Sequence, residues 1–202
     1  QALIRGSRGR PIRLLFPLVT EFEEFLAAKN LVLEEIRKEK KIGHDVPVDV
    51  KIGAMLETPS LAFADEKFFN MADFIAIGGN DLKQFFFAAD RGNELVRQRY
   101  DSLNLSYIEF LKKIIGKAAK FKTPVSYCGE DAGKPVEALA LAAIGIRTLS
   151  MRASAIGPVK LLIRSVALED VREVINRARQ QGKTSVRKDL TDWIAKIKTS
   201  HC

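Results

Sequence analysis

The sequence predicts an α/β fold, a parallel sheet with helices outside it. Five short apolar runs recur along the chain, and each is followed by at least one stretch with helical spacing or helix-start signals. In addition, outside the two termini, the reactive side chains fall directly after those runs, where parallel α/β architectures bind ligands. Two closures satisfy this pattern, an open doubly wound sheet or part of a (β/α)8 barrel. A complete barrel usually needs about 250 residues, and five units would be five-eighths of one.

The first run is Ile12–Val19, broken by Pro17, which suits a strand ending there. Thr20 and Glu23 are placed as a capping box for a helix reaching about Lys40, with Phe22, Phe25, Leu26 and Leu33 on its apolar side. Lys41–Val46 is polar, contains Gly43 and reads as a loop. Val48–Leu56 is the second strand. Pro59 suits the first turn of a helix continuing to about Asn70.

Asp73–Gly79 reads as the third strand, followed by an irregular or helical stretch, Lys83–Tyr100. The clearest helix is Leu103–Lys120, where Leu105, Ile108, Leu111, Ile115 and Ala118 recur at steps of three and four. Pro124–Cys128 is the fourth strand. A helix over Pro135–Ile144 stops at Gly145. Arg147–Met151 is the fifth strand, and helices are expected over Gly157–Ile163, Leu168–Gln180 and Lys188–Lys198. No linker or low-complexity stretch divides residues 1–202.

Composition narrows the function. The 202 residues are 47% hydrophobic and 29% charged, an ordinary globular balance that excludes disordered and fibrous classes. No apolar run approaches the ~18 residues of a membrane span, and no secretory signal opens the chain, so a cytoplasmic protein without a membrane partner is expected. The sequence begins with Gln1, and its natural start is expected to lie upstream. Cys128 and Cys202 lack zinc-binding spacing and suit a reducing compartment.

The net charge of +8 sits at the ends: residues 1–13 hold four arginines and no acid, and residues 171–202 hold eight bases against three acids. A nucleic-acid face would run along a structured element with aromatics nearby, so no nucleic-acid partner is expected.

The chemistry lies between the termini. Glu57 ends the second strand, Asn80 and Asp81 the third, Cys128 and Glu130 the fourth, and Arg152 follows the fifth. Glu57 and Asp81 are two hard oxygen donors of the kind Mg²⁺ takes, its remaining positions filled by water and phosphate. Gly78-Gly79 allows close backbone approach, Asn80 can donate to a phosphate oxygen, and Arg91 offers a planar fork. Cys128 has no histidine beside it in the sequence pattern, which disfavours a Cys–His nucleophile and leaves a proton-donating thiol or a buried small hydrophobe.

These residues lie in GAMLETP (53–59), FIAIGGNDLKQFFFAADRGN (74–93) and YCGEDAGKP (127–135). The three stretches together resemble the C-terminal domain of enzyme I, the phosphoenolpyruvate (PEP)–protein phosphotransferase of bacterial phosphotransferase systems. LSMRASAIGPVK (149–160) is closer to its nitrogen-related branch than to its sugar branch. The resemblance implies a (β/α)8 TIM-type barrel that binds PEP and Mg²⁺ and forms homodimers, with residues 1–202 supplying its last five βα units.

By position, it implies Glu57 and Asp81 as Mg²⁺ ligands, Asn80, Asp81 and Arg91 as contacts to PEP, and Cys128 as the acid that protonates C3. The phosphoryl group would pass to an enzyme histidine on another domain and on to a histidine phosphocarrier protein, leaving pyruvate. Pyruvate phosphate dikinase and PEP synthase share related motifs. A catalytically incomplete dimerisation or regulatory module is the alternative of another class. The family usually carries Thr where Gly79 stands. Its PEP-holding arginines on earlier strands would lie upstream of Gln1, so this chain alone is not expected to complete the transfer.

Overall fold

The computed structural model describes residues 1–90, 92–97 and 101–200. The five apolar runs form β1 (Ile12–Phe16), β2 (Val50–Leu56), β3 (Ile75–Gly78), β4 (Val125–Cys128) and β5 (Thr148–Ser150). They make one sheet in the order β1-β2-β3-β4-β5, every pair parallel. A doubly wound sheet reverses its strand order at a switch point, whereas barrel strands add in sequence. The unreversed order decides between the two closures. The sheet is a five-strand arc of a TIM-type barrel, with β1 and β5 at its edges.

The helices are α1 (Ala2–Ser7), α2 (Phe22–Lys41), α3 (Pro59–Ala62), α4 (Glu66–Met71), α5 (Gly79–Phe86), α6 (Glu94–Arg97), α7 (Leu105–Lys120), α8 (Pro135–Ala143), α9 (Ala153–Arg164), α10 (Leu168–Gln180) and α11 (Arg187–Ser200). Among the described residues, no helix is long and apolar enough to cross a membrane.

Several elements depart from the sequence reading for local reasons. The cap of α2 sits one residue later than expected. Glu21 is the N-cap, and Glu24, not Glu23, reaches back to the Thr20 and Glu21 N–H groups at 2.8 and 3.2 Å. The helix expected from Pro59 to Asn70 is two short ones, because the Asp65 side chain accepts the Lys67 N–H at 2.8 Å and caps a fresh start. The third strand ends at Gly78, one residue before its expected end, and Gly79 opens α5, so Asn80 and Asp81 lie in a first helical turn. The helix α9 begins at Ala153, earlier than expected, and contains Pro158 within its second turn.

Two apolar clusters hold this together. One lies between the sheet and its helices, where Phe25, Phe68 and Phe69 are fully buried and meet edge to face. Burying such a ring contributes about 1.5–3 kcal/mol. The other joins the C-terminal helices: Ile108 of α7, Leu139 of α8, Val171 and Ile175 of α10 and Leu190 of α11. Burial of apolar surface thus secures the scaffold, leaving the strand ends for polar groups.

Candidate active site

The sheet register aligns the strand ends. Leu56 pairs with Ile77, Gly78 with Cys128, and Cys128 with Ser150. The first residue past β2, Glu57, therefore stands beside Gly78 in a row that continues to Cys128 and Ser150.

Glu57 is 4% exposed, and its Oε1 accepts the Leu18 N–H at 2.7 Å. Leu18 adopts a φ of +52°, so the chain leaving β1 turns back over the end of β2. The other carboxylate oxygen, Oε2, lies over Gly78, where an added β-carbon would come within 2.7 Å of it.

Cys128 is half-buried at the end of β4, and its Sγ–H donates to the Ile77 carbonyl at 3.4 Å. Burial pushes its thiol pKa up, and the negative charges of Glu57 and then Asp81 push it further. Both carboxylates therefore act on the sulfur.

Asn80 is fixed from the neighbouring unit, its Oδ1 accepting the Glu130 N–H at 3.1 Å. That contact needs Gly129, whose φ of +135° favours glycine and whose added β-carbon would meet Asn80 Oδ1 at 3.0 Å. With Oδ1 held, the two amide N–H groups of Asn80 are its remaining donors.

A buried polar layer supports this turn. Asp131, 1% exposed, accepts Lys83 Nζ of α5 at 2.7 Å and Lys134 Nζ at 3.1 Å. These cations outweigh burial and hold its carboxyl below the usual range. Tyr107 and Tyr127, each 1% exposed, share a hydrogen bond behind α5. Burial raises the phenol pKa values of both. Sequence reasoning missed this layer because Lys83 and Asp131 are 48 residues apart and no periodicity links them.

Of the residues singled out from the sequence, the structure brings Glu57, Asn80, Asp81 and Cys128 to one face. Arg91 lies outside the described residues; beside it, Asp90 Oδ1 accepts the Gly92 N–H at 2.8 Å.

Among the described residues, no three His, Cys, Asp or Glu side chains gather into a metal cage. Mg²⁺ does not require one, since it commonly takes one or two carboxylates and completes its octahedron with water and phosphate. The buried Glu57 Oε2, left over by Leu18, together with Asp81 on the adjacent unit, fits that donor set.

The model of the PEP-binding domain of PEP-utilising enzymes matches residues 1–168. The PEP–protein phosphotransferase of Staphylococcus aureus is 34% identical over 178 residues, covering 88% of this chain and 31% of the relative. A Salmonella typhimurium protein named for the PEP-dependent phosphotransferase system is 35% identical over 96% of this chain and 26% of its own length. The chain thus spans about a third or less of these relatives. In structure, CitE of Mycobacterium tuberculosis, solved with magnesium, acetoacetate and coenzyme A, aligns with a TM-score of 0.50 at 16% identity, over 83% of this chain and 58% of that one. That likeness bears on the fold alone. By its matched length and by the relatives it resembles, the chain belongs to the PEP-utilising enzymes and is akin to the C-terminal PEP-binding domain of PEP–protein phosphotransferases.

Proposed function

We propose that the chain is the PEP- and Mg²⁺-binding part of a phosphotransferase, acting with a histidine on another domain and a histidine phosphocarrier protein. Family membership supports this reading. The observation that carries it is the register that puts Glu57 just past β2, Asn80 and Asp81 in the helical turn after β3, and Cys128 at the end of β4, on neighbouring units of the sheet.

Glu57 and Asp81 hold Mg²⁺, which when bound supplies positive charge against the phosphoryl oxygens. Asn80, fixed through Oδ1, donates an amide N–H to a phosphate oxygen, and Arg91 offers its guanidinium fork. Phosphoryl transfer breaks the bond between phosphorus and the C2 oxygen, forms one to the histidine nitrogen and leaves the enolate of pyruvate. Cys128 delivers its proton to C3 of that enolate, giving pyruvate and a thiolate that solvent reprotonates. Burial keeps the thiol in the protonated form this role needs. The same reading includes a homodimer.

Titration calorimetry of PEP with Mg²⁺ present tests it. Metal-dependent binding that disappears in Glu57→Ala and in Asp81→Ala is expected. Absence of PEP binding to the unaltered chain, or binding indifferent to both substitutions, would overturn the reading.

A further inference from the structure

The helix α5 has only eight residues, and its first turn holds Asn80 and Asp81. Leu82, fully buried, keeps it against the core, but apolar burial is non-directional and does not by itself fix the rotation of a helix about its axis. Two directional contacts do. Asn80 Oδ1 accepts the Glu130 N–H at 3.1 Å, and Lys83 Nζ donates to Asp131 Oδ2 at 2.7 Å. Asn80 and Lys83 are three residues apart and share one helix face, and their partners are consecutive residues of the turn after β4. Lys83 Nζ also donates to Ser102 Oγ at 3.1 Å. One ammonium thus joins α5, the turn after β4 and the segment that leads into α7. Asp131 is committed at both oxygens, Oδ2 to Lys83 and Oδ1 to Lys134, so it serves as an anchor and not as a further metal donor.

We propose that Lys83 is a positioning residue for the metal: by anchoring α5 on Asp131 it sets the rotation of the first turn, and so where Asp81 presents its carboxylate. The inference rests on Glu57 and Asp81 being the Mg²⁺ pair. Side chains reach about 5–6 Å from a helix axis, so a rotation of about 20° carries a carboxylate about 2 Å. Mg²⁺ holds its oxygens at about 2.0–2.1 Å in near-ideal octahedral geometry and does not follow a shift of that size. Stability alone does not account for the pair, since well-packed apolar residues of the same volume often do as well as a buried ion pair. What Lys83 and Asp131 add is a fixed register between α5 and its neighbouring unit.

The test separates positioning from stability. Mn²⁺ affinity is read without PEP from the loss of the free-ion electron paramagnetic resonance signal, and PEP affinity by calorimetry with Mg²⁺ present, both well below the unfolding midpoint. Losing a group that orients a metal ligand weakens the metal about ten- to a hundredfold. Lys83→Met is expected to weaken Mn²⁺ and PEP by that factor. The double variant Lys83→Met/Asp131→Leu replaces the ion pair by an apolar one; it is expected to recover stability and to stay weak in binding. If Lys83→Met alone is too unstable to titrate, the double variant carries the comparison. Lys134→Met takes the other cation from Asp131 without touching α5, and is expected to leave both affinities unchanged.

A double variant that binds Mn²⁺ and PEP as tightly as the unaltered chain overturns the assignment, and leaves the PEP site standing if Asp81→Ala still abolishes binding. An equal loss in Lys134→Met also overturns it, because the charge beside Asp131, and not the tether to α5, would then be the cause. Mn²⁺ binding that needs both Asp81 and Lys83 in a chain that ignores PEP would keep the positioning role and end the phosphotransferase reading. Binding of neither Mn²⁺ nor PEP, or Mn²⁺ binding indifferent to Asp81→Ala, ends both.

Discussion

The ring of Tyr127 fills the space in which a β-carbon on Gly79 would stand, its hydroxyl and Cζ both too close for any side chain there. Gly79 is the first residue of α5, and its carbonyl lies 3.5 Å from the Tyr107 hydroxyl. The tyrosine pair therefore sets how closely α5 approaches the end of β4, and with it the position of Asn80 and Asp81.

Gly79→Ala is accordingly expected to destabilise by about 1–3 kcal/mol, the usual cost of overpacking a close-packed site. Denaturant melts measure it. In a Tyr127→Leu background the same substitution should cost less. Strictly additive effects would show that the Tyr127 contact is not the cause.

Lys83 is expected to be worth more to the fold than a surface lysine. It is 17% exposed and joined to Asp131, whose side chain is 2% exposed. Removing one partner of a buried pair costs about 3–5 kcal/mol, and Lys134, still bound to Asp131, should hold the loss near the lower end. Lys83→Met measured by chemical denaturation checks this. A cost below about 1 kcal/mol, the level of an exposed ion pair, would count against it.

Cys128 should alkylate slowly at neutral pH, since burial and two nearby carboxylates disfavour its thiolate. Iodoacetamide labelling of a Cys202→Ser chain without added metal follows it. Glu57→Gln removes one of the opposing charges and is expected to speed labelling at a fixed pH. Slower or unchanged labelling would show that Glu57 does not act on the sulfur.

Stability should fall in acid through Glu39. Its side chain is 1% exposed, accepts both Arg5 Nε at 2.7 Å and His44 Nδ1 at 2.6 Å, and ties α1 to the end of α2. Arg5 and then His44 hold its carboxyl at about 2, below the ordinary 4.5. A depressed folded-state value means stability fully present above 4.5 and lost as the pH falls toward 2. The advantage of the unaltered chain over Glu39→Gln in unfolding midpoint is expected to shrink across that window. An advantage that grows in acid would reverse the assignment.

With PEP, Mg²⁺ and a histidine phosphocarrier, the chain alone is expected to leave the carrier unphosphorylated. Radiolabelled PEP gives the readout, and labelled carrier would show that the transfer needs no further domain.

Much of this protein is written locally. The five strands, the exact span Leu168–Gln180 and the halt of α8 near Gly145 follow from apolar periodicity and turn chemistry between residues close in the chain. So does the clustering of Glu57, Asn80, Asp81 and Cys128 at strand ends, because a polar residue closing an apolar run has few structural uses. Boundaries failed where a side chain competed for backbone N–H groups, as Asp65 does between α3 and α4.

What the linear pattern could not supply is whatever depends on distant segments meeting. Strand alternation was compatible with two sheets, and only the pairing of β1 through β5 without reversal chose the barrel arc. The Glu57–Leu18 bond, the Lys83–Asp131 pair and the Tyr127–Gly79 contact each join different βα units. Short-range propensity carries no information about such pairs, since packing and desolvation, which act between segments only after the chain has closed on itself, decide them.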